Sequence, residues 1–158
     1  MPSPRAVTNA THGFRFNLPS DQWREYSSES KRVDYQHRFA ESLGFIAVGI
    51  GKAAWTESDL TRPLLEDKLA NLDYLTRDAT VTLSEDTIDG ARVRIVIFRG
   101  TSAAPNRLPK RGAYAMRYVE GKPPVGILCL TSAGPAFTDE QILATVKSLR
   151  WADEGATR

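Results

Sequence analysis

Two strand-length runs, Phe45 to Ile50 (FIAVGI) and Val125 to Leu130 (VGILCL), are apolar on both of the faces a strand would present. Successive side chains of a strand point to opposite sides of the sheet, so such a run has no side to offer to water. Each is therefore expected at the centre of a sheet with cover above and below. That requirement restricts the chain to layered architectures, and the question becomes which segments supply the cover.

One answer lies near the C-terminus. Thr138 followed three residues later by Gln141 makes a capping box, in which each side chain satisfies a backbone N–H at the start of a helix. Phe137 and Ile142 stand where a hydrophobic staple would fix the entry angle, and Ile142, Val146 and Leu149 recur on one helical face. The spacing predicts an amphipathic helix over Phe137 to Trp151. A second helix is predicted from Pro63 to Leu75: proline suits its first turn, and Leu65, Leu69 and Leu72 form its buried stripe, flanked by Leu64 and Leu75.

The remaining segments alternate as strands do. Thr80 to Ile88 and Ala91 to Arg99 read as two arms joined through Asp89-Gly90, the dipeptide that best accepts the positive φ angles of a tight hairpin. Val93, Ile95 and Ile97 share one face of the second arm, Val96 and Phe98 the other. Tyr114, Met116 and Tyr118 alternate with Ala113, Ala115 and Arg117. Near the front, Phe14 and Phe16 alternate with Arg15 and Asn17 until Leu18-Pro19 stops the strand, with Trp23 as an anchor under the sheet. Tyr35, His37 and Phe39 share a face of a further strand.

Residues 1 to 12 read as a flexible lead, Tyr26 to Asp34 as a loop or irregular edge, Gly100 to Gly112 as a long irregular connection, and residues 152 to 158 as a polar tail. Short turns between neighbouring strands imply antiparallel pairing. The resulting expectation is an α+β fold: a three-layer α/β/α sandwich around a mostly antiparallel central sheet, in the order βββαββββα, with a single domain over residues 13 to 151.

A chain of 158 residues buries about 70% of its unfolded surface, enough for a core without staples. Its 41% hydrophobic and 25% charged content is that of an ordinary globular domain, and its net charge of +2 does not by itself argue for nucleic acid. One cysteine, Cys129, excludes an internal disulfide framework. No apolar run reaches the roughly 18 residues of a membrane-spanning helix. The leader MPSPRAVTNATHG lacks the apolar stretch of a secretory signal, which places the chain in the cytoplasm if Met1 is its true start. A leader rich in Pro, Ser, Ala and Thr is also what trimming of a signal or an upstream domain leaves, and that would place it outside the cytoplasm.

Gly13-Phe14-Arg15-Phe16-Asn17-Leu18-Pro19 with Trp23, Asp89-Gly90 in the hairpin, and Phe137-Thr138 through Ser148-Leu149-Arg150-Trp151 together carry a family likeness. On these residues the chain, from Gly13 to Trp151, resembles the PsbP-like fold superfamily, a group that includes PsbP, the Mog-type Ran-binding proteins and the DcrB-like domains. The resemblance implies a protein that is not an enzyme. Members act as accessory proteins that bind a protein partner, assist assembly of a larger complex, or chaperone secreted effectors. The DcrB-like branch includes chaperone-like proteins of type VI secretion that shield apolar segments of their clients. No branch's functional residues map onto this chain, and none are carried over.

The residues that could bear chemistry are few. His12 lies in the lead; His37 could join Glu41 or Asp34 around a metal, but a site normally converges three or four ligands with second-shell support, and a strand histidine satisfied by hydrogen bonds is the plainer reading. Cys129 sits between Leu128 and Leu130, an apolar setting for a structural thiol rather than a reactive one. There is no G-x-S-x-G elbow. Gly49-Ile50-Gly51-Lys52 imitates a phosphate loop, yet Ile46 stands where its first glycine belongs and Ala53 where Ser or Thr belongs. Glu85, Asp86 and Asp89 lack the spacing of a calcium loop and read as a solvated hairpin arm.

The polar set with most to offer is basic. Arg107, Lys110 and Arg111, with Arg99 and Arg117 near in sequence, would make a patch that steers an acidic protein surface or a phosphate-bearing partner, or else a solvated loop that merely keeps the chain soluble. Aromatics do not interleave with these charges, so nucleic acid is not the expected partner. Tyr35, Tyr114 and Tyr118 are added as strand aromatics suited to anchor an interface, or equally to fill a core. The expectation is a non-catalytic protein-binding, assembly-accessory or chaperone-like module without cofactor or metal. The alternatives are a metal-binding accessory protein or enzyme centred on His37, and a structural domain of a larger assembly.

Overall fold

The Asp89-Gly90 turn adopts the expected geometry. Asp89 has φ 50° and Gly90 φ 78°, the pair of positive values a two-residue type I′ hairpin requires. The arms pair antiparallel without a slip from Ile88 opposite Ala91 to Thr80 opposite Arg99. The computed structural model describes residues 4–20, 23–27, 37–41, 44–50, 80–101, 109–132 and 138–154. Within them the chain forms β1 (Arg5–Asn9), β2 (Phe14–Leu18), β3 (Arg24–Ser27), β4 (His37–Glu41), β5 (Gly44–Ile50), β6 (Thr80–Ile88), β7 (Ala91–Thr101), β8 (Pro109–Tyr118), β9 (Val125–Ser132), α1 (Asp139–Lys147) and β10 (Arg150–Trp151).

The strands form two sheets where the sequence suggests one. The larger has the order β3-β4-β5-β9-β8-β7-β6 and the smaller the order β1-β2-β10. Every pairing is antiparallel. Among the described residues the element order is nine strands, one helix and a tenth strand, which differs from βββαββββα; the helix expected over Pro63 to Leu75 lies outside the described residues.

The doubly apolar runs sit as expected. β5 lies between β4 and β9, and β9 between β5 and β8. Ile46, Ala47 and Val48 are buried, as is every residue from Val125 to Leu130. On one face of the larger sheet, Ile46, Val48, Val93, Ile95, Ile127 and Cys129 pack with Phe14, Phe16 and Leu18 of β2 and with Ile142 and Val146 of α1. On the other face, Val81, Val96, Phe98, Tyr114, Met116, Leu128 and Leu130 form a second cluster. Burying a large apolar side chain fully contributes about 1.5–3 kcal/mol, so both faces are held by the same hydrophobic driving force.

The helix keeps its start and loses its end. Thr138 and Gln141 make both halves of the capping box, with the Gln141 amide donating to Thr138 Oγ1 at 3.2 Å and the Thr138 amide to Gln141 Oε1 at 2.7 Å. The helix stops at Lys147. The Ser148 hydroxyl donates to the Thr145 carbonyl at 2.6 Å and accepts the Asn17 amide at 2.9 Å. Arg150 and Trp151 then pair with Arg15 and Phe14, and the Ala152 amide reaches the Gly13 carbonyl at 2.7 Å. Backbone partners on β2 thus outcompete further helical turns. Leu149 still reaches the core, which is why helical spacing alone points past the true end.

Two further expectations are corrected. The lead of residues 1 to 12 contains β1, whose Val7 lies opposite Phe16 and packs on the core. His12 belongs to the turn after it, where its amide donates to Asn9 Oδ1 at 2.9 Å and its ring stacks over Phe14. The connection from Gly100 to Gly112 is shortened at both ends, because β7 runs to Thr101 and β8 begins at Pro109. Tyr26 falls in β3, an edge strand that pairs with β4 through a register shift between Glu25 and Ser27, in keeping with the irregular-edge reading.

Candidate functional site

The sheet register divides the basic residues that the sequence groups together. Arg99 and Arg111 are direct cross-strand partners at the end of the β7–β8 ladder, an arrangement in which like charges repel unless a counter-ion sits between them. Asp139, the first residue of α1, is that counter-ion. Its two carboxylate oxygens take one guanidinium each: Arg111 Nη1 donates to Oδ1 at 2.7 Å, and Arg99 Nη2 to Oδ2. A carboxylate in the first helical turn is also favoured by the helix dipole. The triad therefore pins the start of α1 to the ends of β7 and β8.

Beneath it lies a pocket of about 150 Å³, lined by Ile97, Phe98, Arg99, Arg111, Gly112, Ala113, Asp139, Ile142 and Leu143. Its floor is apolar and includes the half-buried side chains of Ile97 and Leu143. Among the described residues, its charged lining residues are those of the triad. The side chain of Arg99 is 57% exposed, whereas that of Arg111 is 17% exposed.

Lys110 follows the strand alternation to the opposite face from Arg111 and is half-buried. Arg117 is no part of a surface patch. It is 1% exposed at the far end of β8, where its Nε and Nη2 donate to the Glu154 carboxylate at 2.7–3.1 Å and its Nη1 to the Ile88 carbonyl at 2.8 Å. Glu154 also accepts the Trp151 amide at 2.6 Å. Residues 152 to 154, the start of the segment read as a polar tail, accordingly form a turn tied to the sheet. Next to it Lys122 pairs with Asp153 at 2.7 Å and lies over the Trp151 ring; the hydrogen bond from Lys122 holds the Asp153 carboxyl below its usual value.

Tyr114 is 2% exposed and belongs to the second cluster, so it fills the core rather than anchoring a partner. Tyr118 is half-buried beneath the Arg92 guanidinium, 4.4 Å from its ring centre. Tyr35, Asp34 and Arg107 lie outside the described residues. His37 opens β4 opposite Val48, and Glu41 closes the strand opposite Gly44. Among the described residues, no group of three or more His, Cys, Asp and Glu side chains could hold a metal ion. Glu85, Asp86 and Asp89 are drawn to three different cations, Arg92, Lys147 and Arg150, rather than to one another. Cys129 is fully buried, and burial pushes its thiol well above the ordinary range.

Asp139 and Glu154 are the residues that sequence reasoning missed. Asp139 carried a signal as an acid in the first helical turn, but its partners come from strands 40 and 28 positions away.

No family model and no curated protein matches the chain. Among solved structures it is similar to cyanobacterial PsbP (CyanoP) from Synechocystis sp. PCC 6803, with a TM-score of 0.60 across 96% of this chain and 94% of that one, at 13% sequence identity. The chain has a PsbP-like fold. At that identity the likeness concerns the path of the backbone. The PsbP-like scaffold here carries its own polar set, the Arg99–Asp139–Arg111 triad at one end of β8 and the Arg117–Glu154 pair at the other.

Proposed function

We propose that this chain is a non-catalytic accessory module that binds a protein partner. The observation that carries the reading is the end-to-end likeness to cyanobacterial PsbP, which covers nearly all of both chains. It is supported by the corner at the start of α1, where an exposed guanidinium and half-buried apolar side chains lie side by side. Interfaces combine these features: apolar contact gives affinity, and arginine gives orientation. An assembly-accessory role and a chaperone-like role that shields an apolar client segment are two versions of this reading.

The test is capture by the immobilised, folded chain from soluble and membrane fractions of source cells, followed by titration with the purified candidate partner. Saturable one-to-one binding of a purified protein is the expected result. The reading is overturned if no purified candidate binds and the chain instead holds stoichiometric metal that is lost in His37→Ala. That outcome would move the function to the β4 strand and to the metal-binding alternative.

A further inference from the structure

We propose that the pocket between β7, β8 and α1 is where the partner enters, and that it takes an acidic peptide segment bearing an apolar side chain. This rests on the protein-binding reading and names the chemistry that the site would recognise. Three observations converge on it.

The first is size. A volume of about 150 Å³ is that of an apolar cavity that admits a benzene-sized group, so one Leu-, Ile- or Phe-like side chain fits and a folded surface does not. The second is the lining. Apart from the triad, the described residues of the walls are Ile97, Phe98, Gly112, Ala113, Ile142 and Leu143, which offer no side-chain hydrogen-bonding group to a polar occupant. The third is charge. Two guanidinium groups and one carboxylate line the mouth, a formal surplus of one positive charge among the lining residues. Arg99 is the more exposed of the two and has donors left over after its contact with Asp139, because a guanidinium carries five N–H groups. A carboxylate next to the apolar anchor would meet Arg99 at the rim, and a lysine there would be repelled.

The geometry also sets the order of importance. Arg111 is mostly covered and holds the helix start through Asp139, so it acts as a positioning residue. Arg99 faces solvent and is the group that would read the partner's charge.

The experiment is a titration of the isotopically labelled full chain, followed by amide chemical shifts, with three blocked tripeptides: Glu-Leu-Glu, Glu-Ser-Glu and Lys-Leu-Lys. A short probe of this kind binds at about 1 mM, which shift changes detect. Glu-Leu-Glu is expected to move the amides of Gly112, Ala113, Ile142 and Leu143 saturably, and the other two to bind at least several-fold more weakly. Arg99→Glu should weaken Glu-Leu-Glu by up to about fivefold, the upper end for an exposed ion pair; because it also removes one of the two guanidinium contacts of Asp139, the variant's own amide spectrum must first show the native fold.

Three results would overturn the proposal: no saturable shift at those amides, equal binding by Arg99→Glu, or equally strong shifts with free 4-methylpentanoate, which would make this a small-molecule site. If a purified protein partner binds the native chain and Arg99→Glu alike, the accessory reading stands and the pocket is not its contact. If no partner binds and Glu-Leu-Glu still saturates the pocket, the pocket assignment stands by itself.

Discussion

Two side chains of β8, Tyr114 and Arg117, report on close packing and on buried charge. Gly126 lies under the ring of Tyr114: a Cβ built there would meet the Tyr114 hydroxyl and stand 2.7 Å from Cζ. Both groups lie within the sheet, so neither can step aside cheaply. Gly126→Ala is therefore expected to cost about 1–3 kcal/mol in urea unfolding, the usual range for overpacking. Tyr114→Leu costs stability alone, but combined with Gly126→Ala the losses should fail to add by at least about 1 kcal/mol, since the smaller side chain relieves the clash. Strict additivity would mean that the two residues do not press on each other. The buried arginine gives the second test. Glu154→Gln leaves the Arg117 charge enclosed with the Ile88 carbonyl but no carboxylate, and breaking such a pair costs about 3 kcal/mol. Arg117→Met with Glu154→Gln should recover a large part of that loss, because the enclosed charge is then gone. A double variant as unstable as the sum of its parts would contradict the buried-pair account.

At the scale of elements, the strongest local signals are the ones the fold obeys. Asp89-Gly90 and the Thr138–Gln141 box were legible because their whole chemistry lies within four residues. The box predicts its own cost: Thr138→Ala should lower stability by about 1 kcal/mol, read as a shift of the urea midpoint at unchanged slope, and no shift would mean that the cap is energetically idle. The alternation in β7 and β8 was legible for a related reason, since each strand records in its own residues which face is buried. What was not legible depends on distant partners. β1 and β10 are short and carry little alternation of their own; β2 selects them by offering backbone groups. The candidate basic patch misled for the same reason. Register places Arg99 beside Arg111, alternation sends Lys110 to the other face, and Glu154 draws Arg117 inside. Charge counted along the sequence says how many cations there are, and the counter-ions supplied by α1 and the C-terminal turn decide which remain available.

For the whole molecule, the consequence is that one thiol can report on the integrity of the larger sheet. Cys129 lies in β9, with β5 on one side and β8 on the other, opposite Ile46 and Ala113. Its side chain lies in the cluster beneath β2 and α1, so reaching its sulfur from solvent requires that cover to come away or the central strands to separate. Burial raises the native thiol's pKa, while in the unfolded chain it ionises at about 8.5. The sign follows directly: below the unfolded value both states keep the proton and the thiol leaves stability unchanged with pH. Above it the unfolded state loses its proton while the native state holds on to it. Stability should then fall as pH rises from the unfolded value toward the native one, by up to about 1.4 kcal/mol per pH unit. Cys129→Ala removes this contribution, so the difference between the native chain and the variant should be flat below about pH 8 and slope above it. In the same pH range, labelling of the thiol by an aromatic disulfide should proceed only through global unfolding, and Gly126→Ala should accelerate it by tenfold for each 1.4 kcal/mol that it costs in urea. Labelling faster than the urea stability allows, with no response to Gly126→Ala, would mean that the cover of β2 and α1 opens on its own and that the two faces of the sheet are not one cooperative unit.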